Sequence, residues 1–247
     1  MSRITHEIED RIIKDRIYII SIITMKEIIQ TLRISMTTLL IVAVAFFTLE
    51  PAVSNAIEDQ FTVTQVVTAE ISFLTPSSDI VMSPQLAGIT GGTSNGSTYV
   101  RVLTNNALGY SMTLTSSSSL GMIGNTQGGN IPAYTPATGI VPDFSFSVPV
   151  NRAEFGYTVE ASTTPDLAQA FLDNGTTTCD TGSADTVDAC WVNASTSART
   201  IINRTTETAA SGATTTIKFR VTINSNPSPA VPQDTYVATT TLTATTN

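Results

Sequence analysis

The residues whose chemistry stands out most in this chain are Cys179 and Cys190, the only two cysteines among 247 residues. Ten residues separate them, and both lie well after an apolar segment near the N-terminus. In an oxidising compartment such a pair is expected to form one disulfide. Closing a loop of this size stabilises a fold by about 3 kcal/mol. A metal site would need more soft ligands, and the sequence after residue 56 contains no histidine.

Aspartates and one tryptophan surround this cysteine pair. Carboxylate oxygens on a loop suit Ca²⁺, although the spacing matches no calcium-loop motif, and an acidic surface loop is the alternative. Apart from these weak candidates we predict no metal site and no cofactor. Trp191 directly follows Cys190, and its ring is either a sugar-stacking surface or a core aromatic beside the disulfide. The four candidate calcium ligands are Asp173, Asp180, Asp185 and Asp188.

The chain offers little for catalysis. Its single histidine, His6, lies near the N-terminus, so nucleophilic Ser-His or Cys-His chemistry is excluded from the rest of the chain. Glu154 and Glu160 are either a glycosidase carboxylate pair or solvated acids on a strand, and we favour the second interpretation. The sequence therefore predicts a protein that is not an enzyme.

An N-terminal leader is predicted from an apolar run, Ile34 to Leu49, with Arg33 before it. Small residues at Ser54 and Ala56 complete the pattern of a secretory signal peptide cleaved after Ala56. The alternative is an uncleaved membrane anchor. Met25 would be a more ordinary start, so residues 1–24 are either a mis-assigned start or a cytoplasmic or membrane-surface helix. Both interpretations export the bulk of the chain, and only this run would contact a membrane.

The predicted leader (residues 1–56) and exported domain (residues 57–247) differ in charge. Residues 1–56 have six acidic and six basic residues, so the net charge of −8 belongs to the exported domain. An acidic surface repels phosphate backbones, and we expect no nucleic-acid partner.

Period-two alternation dominates the sequence from Gln60 onward and predicts an all-β fold, an antiparallel sandwich of about nine strands. Its abundant threonine suits half-buried strands. A hairpin is expected across Asn105 and Asn106, a long loop at 116–143 and a helical turn at 166–172. The predicted strands are Gln60 to Leu74, then 79–82, 98–104, 109–115, 144–148, 155–160, 200–202, 214–223 and 235–245.

Two stretches carry a family resemblance. Residues 99–115, and residues 217–221 with 234–245 after a proline-rich loop, resemble bacterial WxL-type cell-surface domains and, more loosely, spore-coat-U or pilin-like sandwiches. The resemblance implies a β-sandwich at the cell surface. Leu242 and Ala244 stand where a Trp-x-Leu motif would be expected, so the peptidoglycan binding of WxL domains is not carried over to any residue.

These observations predict a secreted or surface-displayed structural or adhesive protein that acts by binding or assembly. The alternative is a carbohydrate- or cell-wall-binding module, with cell-wall or host glycans as partners. The chain itself is a further candidate partner, because Gln60 to Leu74 could add to the sheet edge of a neighbouring copy. Otherwise this segment is the first strand of its own sandwich.

Overall fold

The computed structural model describes residues 2–48 and 58–247, with side chains described for 14–45 and 58–247. The chain divides into two compact units, Met1–Thr64 and Gln65–Asn247. The predicted cleavage after Ala56 lies outside the described residues. That cleavage and the domain boundary placed there remain predictions.

The N-terminal unit contains one α-helix, α1, which spans Ser2–Thr48. Its portion Lys14–Ala45 is apolar and long enough to cross a membrane, and none of it is buried. A span needs about 20 residues, so the helix is consistent with a signal sequence or an anchor, as predicted. The helix is continuous across Met25.

The C-terminal unit is antiparallel β-structure, which confirms the predicted fold class. Eleven strands lie within the described residues, rather than nine, in sheets with the orders β1-β2-β9-β6-β7, β11-β3-β8 and β10-β4-β5. Their bounds are β1 Ile71–Thr75, β2 Gly92–Thr104, β3 Tyr110–Ser116, β4 Met122–Gly124, β5 Asn130–Ile131, β6 Ala153–Ala161, β7 Val192–Asn193, β8 Arg199–Arg204, β9 Ala213–Ile223, β10 Tyr236–Val237 and β11 Thr240–Thr246.

One hydrophobic core joins the five-stranded sheet to the sheet β11-β3-β8. Strand β9, at the centre of the five-stranded sheet, alternates between buried and partly exposed residues along its whole length. Successive strand side chains point to opposite faces, so Ile217, Phe219 and Val221 lie on the same face. These residues belong to the same buried cluster as Met112 and Leu114 of β3, and the two sheets therefore form a sandwich.

The predicted hairpin across Asn105 and Asn106 is wrong, because β2 and β3 belong to different sheets. The connection crosses from one layer of the sandwich to the other. The side-chain amide of Asn106 donates to the carbonyl of Gly109 at 2.8 Å. Gly109 has φ +76°, and a Cβ there would lie 2.1 Å from the carbonyl oxygen of Arg204. The alternation within each segment shows that each strand buries one face. It does not show which strands pair with each other.

Other predicted strands differ from the structure. Residues 79–82 and 144–148 form no strand, the loop at 116–143 contains β4 and β5, and the last strand is divided into β10 and β11. The helical turn at 166–172 is a pair of short 3-10 helices, Thr164–Asp166 and Gln169–Phe171. Of the long first strand, only Ile71–Thr75 pairs with a neighbour.

Candidate functional site

The predicted disulfide between Cys179 and Cys190 is present. Both cysteines are buried. The loop between them is held by hydrogen bonds to Asp173, which is itself fully buried. The Asp173 carboxylate accepts hydrogen bonds from the backbone N–H groups of Gly175 at 2.6 Å and Thr186 at 2.9 Å. The Thr186 hydroxyl donates a third hydrogen bond to it, also at 2.9 Å. This carboxylate therefore holds the loop in place from inside the fold.

The four aspartates proposed as calcium ligands do not form a site. Asp185 accepts a hydrogen bond from the Ala161 N–H at 3.0 Å, and burial raises its pKa. Asp188 lies 3.0 Å from the Lys218 ammonium, and Asp180 is exposed. Within residues 14–45 and 58–247, no group of three or more His, Cys, Asp or Glu side chains could hold a metal ion. The acidic loop is thus structural in this fold.

Trp191 is a core residue with 1% of its surface exposed. Its indole N–H donates to the carbonyl of Asp188 at 2.7 Å. Phe146 meets the ring edge-on, with centroids 5.2 Å apart, and the Arg220 guanidinium lies 4.2 Å from the ring centroid. These neighbours cover the ring, so the sugar-stacking interpretation of Trp191 does not fit its burial.

The two carboxylates considered as a glycosidase pair lie on the same strand, β6. Glu154 and Glu160 are six residues apart, which corresponds to roughly 20 Å along an extended strand. Glycosidase pairs need about 5–9.5 Å between their carboxyl groups. Glu160 forms an ion pair with Lys218 at 2.5 Å, whereas burial raises the pKa of Glu154. This separation does not fit a glycosidase pair, but the predicted solvated acid is wrong for Glu154, which is only 7% exposed.

The described β-domain has a wide cleft of about 1280 Å³, lined by polar and apolar residues in similar measure, between the five-stranded sheet and the sheet β11-β3-β8. Its base is formed by buried core residues of β9 with Phe155 of β6 and Leu114 of β3, and Leu242 of β11 lies at its more accessible side. Ligand pockets usually have volumes of about 300–1000 Å³, so this cleft is large enough for a peptide. The contributing β9 residues are Ile217, Phe219, Val221 and Ile223.

Strand β11 has an open edge beside this cleft. Within the described residues it pairs with β3 alone. Just beyond the ends of this ladder, the carbonyl of Thr239 accepts from Ser117 N–H at 2.9 Å, and the N–H of Asn247 donates to Gly109. Backbone groups alternate sides along a strand, so the odd-numbered residues bond to β3. The N–H and C=O groups of Leu242 and Ala244 consequently face the open edge.

An irregular segment, residues 77–89, lines the opposite side of the cleft. Ser83 and Asn95 exchange two backbone hydrogen bonds of 2.9 Å, which fix this segment beside β2. Gly96 allows the close approach, because a Cβ there would lie 2.4 Å from Cγ2 of Ile80. Val81, in the same segment, is 93% exposed at the cleft.

Asp234 shapes the rim of the cleft where β10 begins. Its carboxylate accepts backbone hydrogen bonds from Gln127 at 2.7 Å and Thr126 at 2.8 Å. These bonds, that of Gln127 first, lower the pKa of Asp234. The carboxylate therefore ties the 125–127 turn to the start of β10.

Sequence reasoning missed this cleft, because it assigned residues 79–82 to a strand and 235–245 to one continuous strand. Pro76 and Pro84 bracket Ile80, Val81 and Met82, and proline cannot donate to a sheet ladder. An apolar segment between two prolines was thus the available signal that core-directed side chains would lie on irregular backbone.

No protein-family model and no curated protein matches the chain. The functional interpretation therefore depends on the geometry of the cleft, on the open edge of β11 and on the disulfide.

Proposed function

We propose that the chain is a structural or adhesive protein, secreted or displayed at the cell surface, that binds an extended polypeptide strand in the cleft beside β11. The observation that carries this proposal is that a large cleft with an apolar base lies beside an unpaired strand edge. An added strand would bond to the outward backbone groups of Leu242 and Ala244. Its alternate side chains would enter the cleft, and this combination is the basis of strand addition.

The export of the domain is supported by two separate features. A buried disulfide persists in oxidising compartments and is rare in the cytosol, so Cys179–Cys190 indicates an extracytoplasmic location. The apolar helix α1 is consistent with a signal sequence or an anchor. The resemblance to WxL-type and pilin-like surface sandwiches agrees with this location and remains a prediction.

The proposal gives no role to catalysis and prefers a polypeptide to a glycan. Glycan recognition uses exposed aromatic rings, and Tyr134, Tyr157 and Trp191 are buried. Tyr236 lines the cleft, but it is partly buried and its hydroxyl already donates to a backbone carbonyl at 2.9 Å. Tyr99 is half exposed, but it projects from β2 on the face opposite the core-facing Val100. A carbohydrate- or wall-binding module is therefore the weaker candidate.

Photo-crosslinking tests the proposal. A photoreactive amino acid replaces Val81 at the cleft, or Val150, which is 84% exposed and does not line the cleft, as the matched control. Cells that express the full chain are irradiated, and adducts are resolved on denaturing gels. We expect a polypeptide adduct from position 81 and none from position 150. No adduct at position 81, or equal adducts at both positions, would contradict strand capture.

A further inference from the structure

We infer that the strand bound in the cleft is residues 58–70 of a second copy of this chain, so that copies join head to tail. The inference rests on the proposed function and names the partner that the cleft receives.

Residues 58–70 form an extended segment that has no strand partner in the structure. Every residue of the segment is exposed. Phe61 and Val63 are each 83% exposed, and Val67 is 80% exposed. A run of exposed apolar residues at period two is unusual in a soluble protein, because such residues ordinarily cover a core. The segment therefore has the sequence pattern of a buried strand, although its side chains are exposed.

The segment matches the open edge in length and in pattern. Strand β11 has seven residues, and residues 61–67 also number seven, so the segment can extend along the whole edge at about 3.3 Å per residue. Phe61, Val63 and Val67 share one face with Gln65, and the other face carries Thr62, Thr64 and Val66. Strand β11 has the same arrangement, with Leu242 and Ala244 turned inward between exposed threonines.

The C-terminal end of the segment is fixed to its own domain. The backbone N–H of Glu70 donates to Asn105 Oδ1 at 2.7 Å, and the Asn105 amide donates to the carbonyl of Thr68 at 3.1 Å. The Thr104 hydroxyl adds a hydrogen bond of 2.6 Å to the carbonyl of Glu70. These bonds hold the base of the segment beside β1, and residues 58–67 remain available to a neighbouring copy.

A segment on one surface that fills a cleft on a different surface makes a heterologous contact. Such contacts repeat into rings or open filaments. Each copy would donate one strand and accept one strand, so the copies would assemble without any other component.

The experiment uses the full chain with the photoreactive residue at position 81. Copies labelled with ¹⁴N and ¹⁵N are expressed separately, mixed in denaturant, refolded together and irradiated, and the crosslinked peptides are identified by mass spectrometry. We expect mixed-isotope crosslinks between position 81 and residues 58–70, with adducts at multiples of the chain mass. Crosslinks restricted to one isotope would show that the segment folds back on its own cleft, and would overturn the inference.

Two paired variants test the apolar face of the segment. Phe61→Asp with Val63→Asp places charges on the face directed into the cleft, and Thr62→Asp with Thr64→Asp adds the same charge to the opposite face. The first pair should reduce the dimer adduct at least about tenfold, because losing the burial of a single apolar side chain already weakens binding by about that factor. The second pair should retain the adduct. Folding of each variant is checked by the fluorescence of buried Trp191.

The outcomes separate this inference from the proposed function. An adduct with another polypeptide that persists in the Phe61→Asp, Val63→Asp variant would overturn the inference and leave strand capture standing. Equal loss of the dimer adduct in both paired variants would also overturn it. The absence of any adduct from position 81 would contradict both the inference and the proposed function.

Discussion

Removing the disulfide gives the most quantitative test of how this fold is stabilised. The change is Cys179→Ala together with Cys190→Ala, since serine would leave hydroxyl groups at two buried positions. The cysteines are 11 positions apart, and the chain-entropy relation for such a loop gives about 2.8 kcal/mol at 25 °C. With a urea dependence of about 2 kcal/mol per molar for a domain of this size, the unfolding midpoint should fall by roughly 1.4 M.

Trp191 makes the measurement specific, because it is the only tryptophan in the chain and it directly follows Cys190. Urea unfolding is followed by its fluorescence, with and without reductant. Reductant should shift the wild type to the midpoint of the variant and leave the variant unchanged. A midpoint shift below about 0.5 M would refute the reasoning. It would mean that the unfolded chain keeps residual structure that already restricts this loop.

Three further predictions concern single residues. Asp173→Ala should lower the free energy of unfolding by about 3 kcal/mol, since it leaves buried N–H groups without acceptors. Urea unfolding measures this loss. The loss from Asp173→Ala and the loss from removing the disulfide should be less than additive. Glu154→Gln should be more stable than the wild type at pH 7, because burial raises the pKa of Glu154 and its ionised form destabilises the fold. That difference should disappear below about pH 4.3, where the carboxyl is protonated in both states; thermal unfolding across pH 3–8 checks it, and a constant difference would contradict it. Gly96→Ala should cost about 1–3 kcal/mol by forcing Ile80 out of place, with faster hydrogen exchange at the Ser83 amide as the local readout; unchanged exchange there would refute it.

The sequence was sufficient for the elements whose signal is local. The apolar run of α1, the alternation along Ala213–Ile223 and the spacing of the two cysteines each predict a feature that the structure contains. In each case the determining contacts lie within the segment itself or follow from a single covalent pairing.

The rest depends on partners that are distant in the sequence. Tyr236–Val237 pairs with β4, whereas Thr240–Thr246 pairs with β3, so one alternating run is divided between two sheets. The predicted hairpin failed for the same reason. The cleft could not be anticipated, because it arises where irregular backbone at 77–89 occupies the place of an edge strand.

The candidate site was anticipated in part. The sequence singled out Gln60 to Leu74 as a strand that could add to a neighbour, and it also allowed the segment to be the first strand of its own sandwich. The structure divides that segment, because Ile71–Thr75 pairs with β2 and residues 58–70 remain unpaired. The aspartates and Trp191 drew attention through their chemistry, but Asp173 and Trp191 are buried structural residues, whereas Asp180 is exposed.

The composition of β11 has a practical consequence for handling the protein. Natural sheets protect exposed edges with lysine, proline or bulges, whereas β11 consists only of threonine, leucine and alanine and pairs in register with β3 from end to end. Nothing in the composition of the strand therefore discourages unwanted strand pairing. Concentrated preparations should precipitate or form β-rich aggregates unless a competing peptide protects this strand.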